Sequence, residues 1–177
     1  MEQVGEVNYP AVSTTDVTGM TPGDATFSYT TAPSTSIGTG YTAVTNDLYY
    51  DGGYLATLKI PAIGVNVKVF EGTDGNTLAK GAGHFANTSI WNGNCCIAGH
   101  NRGANCYFGR IHELSVGDTI TLTTKLGTRT YAVTSVAKVS ETDRSGLAAT
   151  SDNTLTLYTC VRDQRAYRWR VSAVEMP

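Results

Sequence analysis

Short runs in which apolar and polar residues alternate dominate the sequence from residue 54 onward. Examples are GVNVKV, DTITLTT and TLTLYTC, and glycine or proline separates several of these runs, as Pro61 and Gly64 do. Alternation with a period of two is typical of β-strands that bury one face. Because the runs leave little room for crossover helices, we expect a closed or partly open, mostly antiparallel barrel of seven or eight strands with a few short helices.

The N-terminal part of the chain has a different character. Residues 1–45 are rich in Ser, Thr, Gly and Pro and lack sustained periodicity. Such composition is typical of a linker or a loosely packed arm. We therefore predict a partly ordered arm over residues 1–45 and a barrel domain over 46–177. A helix or strand is expected to begin near Thr45–Asp47, one helical turn over Asn76–Lys80, and a short helix in ANCYFGRIHEL.

Charge and hydropathy exclude several classes of function. The net charge is -2 and the pI is near 5.9, without a basic arm, so no nucleic-acid partner is expected. No run of about 18 apolar residues is present to span a membrane, and the chain opens on polar residues rather than on a signal peptide. These features fit a cytoplasmic protein or an ectodomain without its anchor. The abundance of Gly, Ser, Thr, Tyr and Val favours the ectodomain.

Four cysteines, at positions 95, 96, 106 and 160, allow three interpretations. Buried free thiols, which pack like small apolar side chains, are favoured. A disulfide between Cys106 and Cys95 or Cys96 is the second interpretation. A metal site formed by Cys95 or Cys96 with His100 and Cys106 is the third, but the spacing lacks the paired C-x-x-C of structural zinc sites. We expect neither a metal nor another cofactor.

A candidate catalytic group emerges from the ends of two predicted strands. His100 ends CCIAGH and Cys160 ends TLTLYTC, so strands that finish at the same rim would bring thiol and imidazole together. Cysteine catalysis needs a thiolate, a proton acceptor and donor, and a group that stabilises the oxyanion. Arg168 and Arg170 share one face of the last strand, and spacing alone does not choose between them. Neither His84 nor His112 is expected to be catalytic: His84 is expected to be structural or to lie on the substrate loop, and His112 to lie on a solvated helix.

These residues resemble the sortase family in type, order and spacing. The segment TLYTC (156–160) is similar to the sortase signature TLxTC, and a histidine precedes it while an arginine follows on the last strand. IAGH (97–100), GAGHFANTSIWNGN, FGRIHELSVGDTITL and LKIPAIGVNVKV also resemble sortase segments, so the similarity covers roughly residues 54–175. It implies a closed, eight-stranded sortase-type barrel on the outer face of a Gram-positive membrane, held by an anchor absent from this chain.

The resemblance also implies an activity. A sortase is a cysteine transpeptidase that cleaves an LPxTG-like sorting motif between Thr and Gly through a thioacyl intermediate. It then transfers the acyl group to an amine of a peptidoglycan precursor or a pilin. Carried over to this chain, Cys160 would be the nucleophile and His100 the general acid and base. Arg168, followed by Trp-Arg-Val-Ser-Ala, matches the family's oxyanion-binding arginine better than Arg170.

Substrate contacts are expected around the same strand. Tyr158 and Thr159 precede the nucleophile, and Leu147 and Ala148 lie in the preceding loop, residues 140–153. The segment 161–167 is expected to form a short polar loop that contacts the amine acceptor. None of the five prolines follows an aspartate, so a pilin-type lid with Asp-Pro-aromatic is not expected. The chain would then be class B-like or class D-like rather than a pilin-type class C enzyme.

Two other functions remain open from the sequence. A cysteine endopeptidase would use the same Cys160 and His100 but would pass the acyl group to water. A non-catalytic surface β-domain fits the Thr- and Ser-rich arm, but it gives no reason for the joint presence of His100, Cys160 and Arg168.

Overall fold

The computed structural model describes residues 41–103 and 106–177, so most of the predicted arm lies outside the described residues. Eight strands are present in the described part: β1 (Ala56–Ile60), β2 (Val65–Glu71), β3 (Ala82–His84), β4 (Asn94–Ala98), β5 (Thr119–Thr124), β6 (Gly127–Ser140), β7 (Thr154–Val161) and β8 (Gln164–Glu175). Helix α1 covers Gly75–Lys80, and 3-10 turns cover Asn46–Leu48, Pro61–Ile63, Ile111–Glu113 and Ser145–Leu147. No helix in these described ranges has the length and apolar content needed to cross a bilayer.

The strands form a closed barrel in the order β1-β2-β3-β4-β7-β8-β6-β5, and β5 pairs back onto β1. The pairs β2–β3 and β4–β7 are parallel, and the remaining neighbours are antiparallel. The predicted fold class is therefore confirmed. The parallel β4–β7 pair matters most for function, because parallel strands end at the same edge of a sheet.

Alternation along β7 separates the core from the face that carries the candidate site. Leu155 and Leu157 are fully buried in the hydrophobic core, as Cys95 and Ile97 are on the neighbouring strand β4. Burying a leucine side chain stabilises the folded state by about 1.5–3 kcal/mol. By the same alternation, the even-numbered residues of β4 and β7 point to the outer face of the barrel.

Three local predictions need correction. The expected helix in ANCYFGRIHEL is only the 3-10 turn Ile111–Glu113, and residues 104–105 lie outside the described ranges. Phe108 is held beneath the barrel rim instead: its amide donates to the carbonyl of His100 (3.0 Å), and a Cβ at Gly99 would stand 2.7 Å from its ring. Packing of one aromatic side chain therefore overrides the local helical pattern.

The second correction concerns β4, which ends at Ala98, so His100 lies two residues beyond the strand. The third concerns segment 161–167, which is not a loop. Strand β7 continues through Val161, β8 begins at Gln164, and only residues 162–163 connect them. The helical turn over Asn76–Lys80 is confirmed by α1, and the element expected near Thr45 is the 3-10 turn Asn46–Leu48.

Residues at the start of the described part attach to the loop between β3 and β4. Tyr41 forms an antiparallel bridge with Gly93, and the amide of Ile90 donates to the carbonyl of Thr42 (3.0 Å). The amide of Thr42 donates to Ser89 Oγ (2.9 Å). Residues 41–42 therefore pack with the barrel, although the predicted domain begins at residue 46.

Candidate active site

The ends of β4 and β7 bring His100 beside Cys160. Ala98 pairs with Tyr158, and the ladder continues because the amide of Gly99 donates to the carbonyl of Tyr158 (3.1 Å). The Thr159 hydroxyl donates to the carbonyl of Gly99 (2.8 Å). These bonds, together with the one from the Asn101 side-chain amide to the carbonyl of Cys160, keep the segment that carries His100 next to the end of β7 that carries Cys160.

Arg168 flanks Cys160 on the other side. The two residues are direct partners in the antiparallel β7–β8 ladder, and directly opposed residues share one face of a sheet. Cys160 is exposed, whereas His100 and Arg168 are half-buried. The fold therefore brings the three sequence-predicted residues together on three adjacent chain segments at one rim.

The Arg168 guanidinium is held by nearby chain. Nη1 donates to the carbonyls of Arg165 (2.9 Å) and Tyr167 (2.8 Å), and Nη2 lies 3.7 Å from a carboxylate oxygen of Glu141. These contacts sit at the irregular start of β8, where the register shifts between Cys160 and Val161. A guanidinium carries five N–H donors, so the group keeps donors for a further acceptor.

Arg170 faces a different partner. It pairs with Tyr158 rather than with Cys160, and its Nη1 lies 3.8 Å from Asp143 Oδ2 and 3.2 Å from Ser145 Oγ. Both oxygens belong to the loop between β6 and β7, residues 141–153, which we call the β6–β7 loop. The register thus separates the two arginines, with Arg168 next to the thiol and Arg170 next to this loop.

The predicted substrate-binding residues fall into two groups. Thr159 is 3% exposed, and alternation turns it away from the face of Cys160. Tyr158 is 7% exposed, lies edge-on to Phe85 with ring centroids 5.7 Å apart, and burial raises its pKa to about 12. Both side chains are thus buried, Tyr158 on the same face of β7 as Cys160 and Thr159 on the opposite face, and their contact with a substrate peptide stays a prediction. Leu147 is half-buried and Ala148 is exposed, so both remain accessible in the β6–β7 loop.

Several neighbours of the site were not anticipated from the sequence. The Asn101 side-chain amide donates to the carbonyl of Cys160, and Arg102 forms an ion pair with Asp163 in the β7–β8 turn. Glu141 lies near Arg168 and Asp143 near Arg170, so two carboxylates two residues apart face two arginines with the same spacing. That matched spacing is a signal that could have revealed the pairing, whereas nothing local marks the contact of Asn101.

The remaining histidines have packing roles. His84 is fully buried, with Nδ1 2.6 Å from Glu71 Oε1 and Nε2 2.9 Å from the carbonyl of Ser89. The His112 ring stacks on Trp169, with centroids 5.1 Å apart and an interplanar angle of 17°. The burial of His84 agrees with the structural role predicted for it, and His112 is solvated as predicted but lies in a 3-10 turn rather than in a longer helix.

All four cysteines are free thiols. Cys95 and Cys96 are buried, as the first of the three interpretations expects, whereas Cys106 and Cys160 are exposed, which it does not. Burial raises the pKa of Cys96 to about 12 and that of Cys95 well above its usual value. Within residues 41–103 and 106–177, no group of three or more His, Cys, Asp or Glu residues is arranged to hold a metal ion.

Comparison with known proteins matches this chain to one family over most of the described barrel. The family description "Sortase domain" matches residues 58–176. Sortase A of Listeria monocytogenes is 31% identical over 139 residues, which cover 77% of this chain and 62% of that protein. Sortase D of Bacillus subtilis is 33% identical over 90 residues, covering 50% of this chain and 44% of that protein. The chain thus spans less than two thirds of the length of these curated relatives.

Among solved structures, sortase A from Corynebacterium diphtheriae superposes with a TM-score of 0.66 at 27% sequence identity. The match covers 70% of this chain and 61% of the other. The region of similarity includes both strand ends and the arginine strand that build the rim described above.

Proposed function

Because this chain belongs to the sortase family, whose members are cysteine transpeptidases, we propose that it cleaves an LPxTG-like sorting motif between Thr and Gly and transfers the acyl part to an amine. The observation that carries the proposal is the exposed Cys160 between His100 and Arg168 on adjacent segments of one rim. Nucleophile, proton carrier and fixed positive charge are the three parts that acyl transfer from an amide requires.

The first half-reaction forms a thioester. The Cys160 thiolate attacks the carbonyl carbon of the motif's threonine, and the oxygen of the tetrahedral intermediate accepts hydrogen bonds from Arg168. The C–N bond to glycine then breaks, and the His100 imidazolium gives its proton to the leaving amine. Arginine stays charged throughout, and its planar fork suits an acceptor site that must not titrate.

The second half-reaction regenerates the Cys160 thiolate and the His100 imidazolium. An amine attacks the thioester carbonyl while neutral His100 takes a proton from it. The new amide forms as the C–S bond breaks and the Cys160 thiolate leaves.

The proposed substrate groove runs beside the β6–β7 loop toward Cys160, on the outer face of β7. Leu147 and Ala148 would provide an apolar wall for the leucine and proline of the motif, above the supporting Tyr158. The natural amine would belong to a peptidoglycan precursor or a pilin. The two curated relatives come from Gram-positive bacteria, which supports a location at the cell surface.

A peptide library tests this function directly. The protein is incubated with LPxTG-like peptides, with and without triglycine or diaminopimelate, and products are followed by mass spectrometry. We expect cleavage between Thr and Gly and an amine adduct, both lost in Cys160→Ala. Cleavage that yields only the hydrolysed acid with every amine would instead indicate the endopeptidase. A complete lack of Cys160-dependent product would favour the non-catalytic surface domain.

A further inference from the structure

The side chain of Asn94, at the start of β4, is 5% exposed and uses its full hydrogen-bonding capacity. Its Nδ2 donates to the carbonyls of Gly146 and Ala148, each at 2.8 Å. Its Oδ1 accepts from the hydroxyls of Thr154 (3.0 Å) and Thr156 (2.8 Å). A primary amide has two N–H donors and two acceptor lone pairs, so all four are occupied.

These four bonds connect the strand that leads to His100 with the β6–β7 loop. The donors of Asn94 reach residues 52 and 54 positions away along the chain, while its acceptor is tied to β7. The amide therefore fixes the height of the turn Ser145–Leu147 above the outer face of β4 and β7. That face continues to Tyr158 and then to Cys160.

The loop is pressed closely onto the sheet at Gly146. A Cβ at this position would stand 2.1 Å from Tyr158 Oη and 2.8 Å from Arg170 Cδ, so a side chain there requires the loop or these two side chains to shift. Asp143 and Ser145 approach Arg170 from the same loop. The contacts of Asn94 and Gly146 thus hold the turn Ser145–Leu147, and Ala148 after it, against the outer face of the sheet.

We propose that Asn94 is a positioning residue for peptide recognition, which sets the groove that takes the apolar part of the sorting motif. The inference rests on the proposed function. Asn94 contacts the loop rather than the reacting atoms, so it acts on substrate binding and not on the thiol chemistry. Loss of an interaction that is equal in the ground state and the transition state raises KM and leaves kcat unchanged.

The substitution Asn94→Asp distinguishes the donor role of the Asn94 amide from its acceptor role. The carboxylate still accepts from Thr154 and Thr156, but it presents an oxygen instead of N–H groups to the carbonyls of Gly146 and Ala148. Thr156→Val is the matched control, because it removes one bond to Oδ1 and leaves both donors to the loop intact. We expect KM for the sorting peptide to rise about tenfold or more in Asn94→Asp, with kcat within about threefold, and little change of KM in Thr156→Val.

Limited trypsin digestion reports on the loop without any turnover. Arg144 is exposed within the β6–β7 loop, so the rate of cleavage after it measures how often the loop leaves the sheet. We expect faster cleavage after Arg144 in Asn94→Asp than in the wild type and in Thr156→Val. If the wild type turns over no peptide, the proposed function fails, while the trypsin result still decides whether Asn94 holds the loop.

Gly146→Ala keeps the test decisive if Asn94→Asp does not fold. The added methyl group meets Tyr158 Oη and Arg170 Cδ, and we expect it to push the loop away from the sheet. The variant should then show the same rise in KM and in cleavage after Arg144, and Tyr158→Phe should partly reverse both. A fall in kcat at constant KM, or unchanged trypsin sensitivity in the folded Asn94 variant, overturns the inference.

Discussion

Cys160 has neighbours that are held in different ways. Two backbone carbonyls hold the segment that carries His100, because the carbonyl of Gly99 accepts from the Thr159 hydroxyl and that of His100 accepts from the Phe108 amide. Side-chain bonds hold Arg168, since its guanidinium is bound to carbonyls of its own strand and lies near Glu141. The imidazole is therefore attached to a rigid frame, whereas the guanidinium can exchange one partner for a substrate oxyanion without a change in the backbone.

Thiol reactivity should divide the four cysteines into two pairs. Burial raises the pKa of Cys96 to about 12 and that of Cys95 in the same direction, so their thiolates are rare at pH 8 and their sulfurs are inaccessible. We expect iodoacetamide to modify Cys160 and Cys106 in the folded protein, as mapped by mass spectrometry. Cys95 and Cys96 should react only after unfolding in urea.

The variant Cys106→Ser provides the control for this experiment, because it leaves one exposed thiol. In its folded form, this variant should react with a single equivalent of iodoacetamide. Once modified, it should no longer cleave the peptide. Modification of Cys95 or Cys96 at a rate comparable to Cys160 would contradict the burial described above.

The two arginines of β8 should respond differently to lysine. Arg168→Lys keeps the charge but loses the planar fork, so we expect kcat to fall by about 10²–10³, the range seen when one oxyanion donor is removed. Arg170→Lys is the matched control, because Arg170 faces Asp143 and Ser145 instead of Cys160. It should act mainly on KM. Steady-state kinetics with one sorting peptide compares the two, and near-normal kcat in Arg168→Lys would argue against its role.

At the scale of elements, the two-residue connection between β7 and β8 decides how the thiol is presented. Residues 162–163 turn the chain immediately after Val161, and Asp163 adopts a left-handed backbone with φ of 61°. The extra residues 165–167 on β8 absorb the shift in register. Little chain therefore covers Cys160 from this side, which would leave the proposed thioester open to an acceptor.

The backbone of Asp163 gives a prediction about stability. Asparagine tolerates the left-handed region and valine does not, so Asp163→Val should lower the free energy of unfolding by about 1–2 kcal/mol and Asp163→Asn by much less. Urea unfolding monitored by circular dichroism measures both. Arg102→Ala isolates the exposed ion pair, which should be worth less than about 1 kcal/mol. Equal effects of valine and asparagine would show that the ion pair, not the backbone, matters.

Local sequence patterns are sufficient to predict some of the strands, but not the contacts between distant parts of the chain. The strands around TLTLYTC and GVNVKV follow from alternation, whereas the sequence pattern placed the end of β4 two residues too late, at His100 instead of Ala98. The helix expected around Phe108 does not form, because that ring packs under Gly99, a contact between distant parts of the rim. The bonds of Asn94 to residues 146 and 148 are equally invisible in the sequence, since no local pattern marks a contact across 52 residues.

At the scale of the whole molecule, barrel closure and function use opposite faces of the same strands. Leu155, Leu157 and Val171 fill the interior, while Cys160 and Arg168 project outward from the same two strands. The interior residues can therefore be selected for close packing, and the outer residues for the proposed catalysis. Closure also ties the loop between β3 and β4, residues 85–93, to the first described residues of the chain.

That attachment gives a prediction about the domain boundary. Thr42 exchanges three hydrogen bonds with this loop: its amide donates to Ser89 Oγ, its carbonyl accepts from Ile90, and its hydroxyl accepts from the amide of Asn92 (3.1 Å). At about 0.5–1.5 kcal/mol for each net hydrogen bond, a chain of residues 46–177 should be less stable than one of residues 41–177 by about 2–4 kcal/mol. Urea unfolding of the two chains measures the difference.

Thr42→Val within residues 41–177 tests the same attachment without shortening the chain. It removes the hydroxyl that accepts from Asn92 and keeps both backbone bonds, so it should account for about 1 kcal/mol of the loss. Because the loop leads into β4 and hence to His100, the shorter chain should also lose peptide cleavage at a lower urea concentration than the longer one. Equal unfolding midpoints would show that the barrel closes without residues 41–45, and that the boundary expected at residue 46 is the better one.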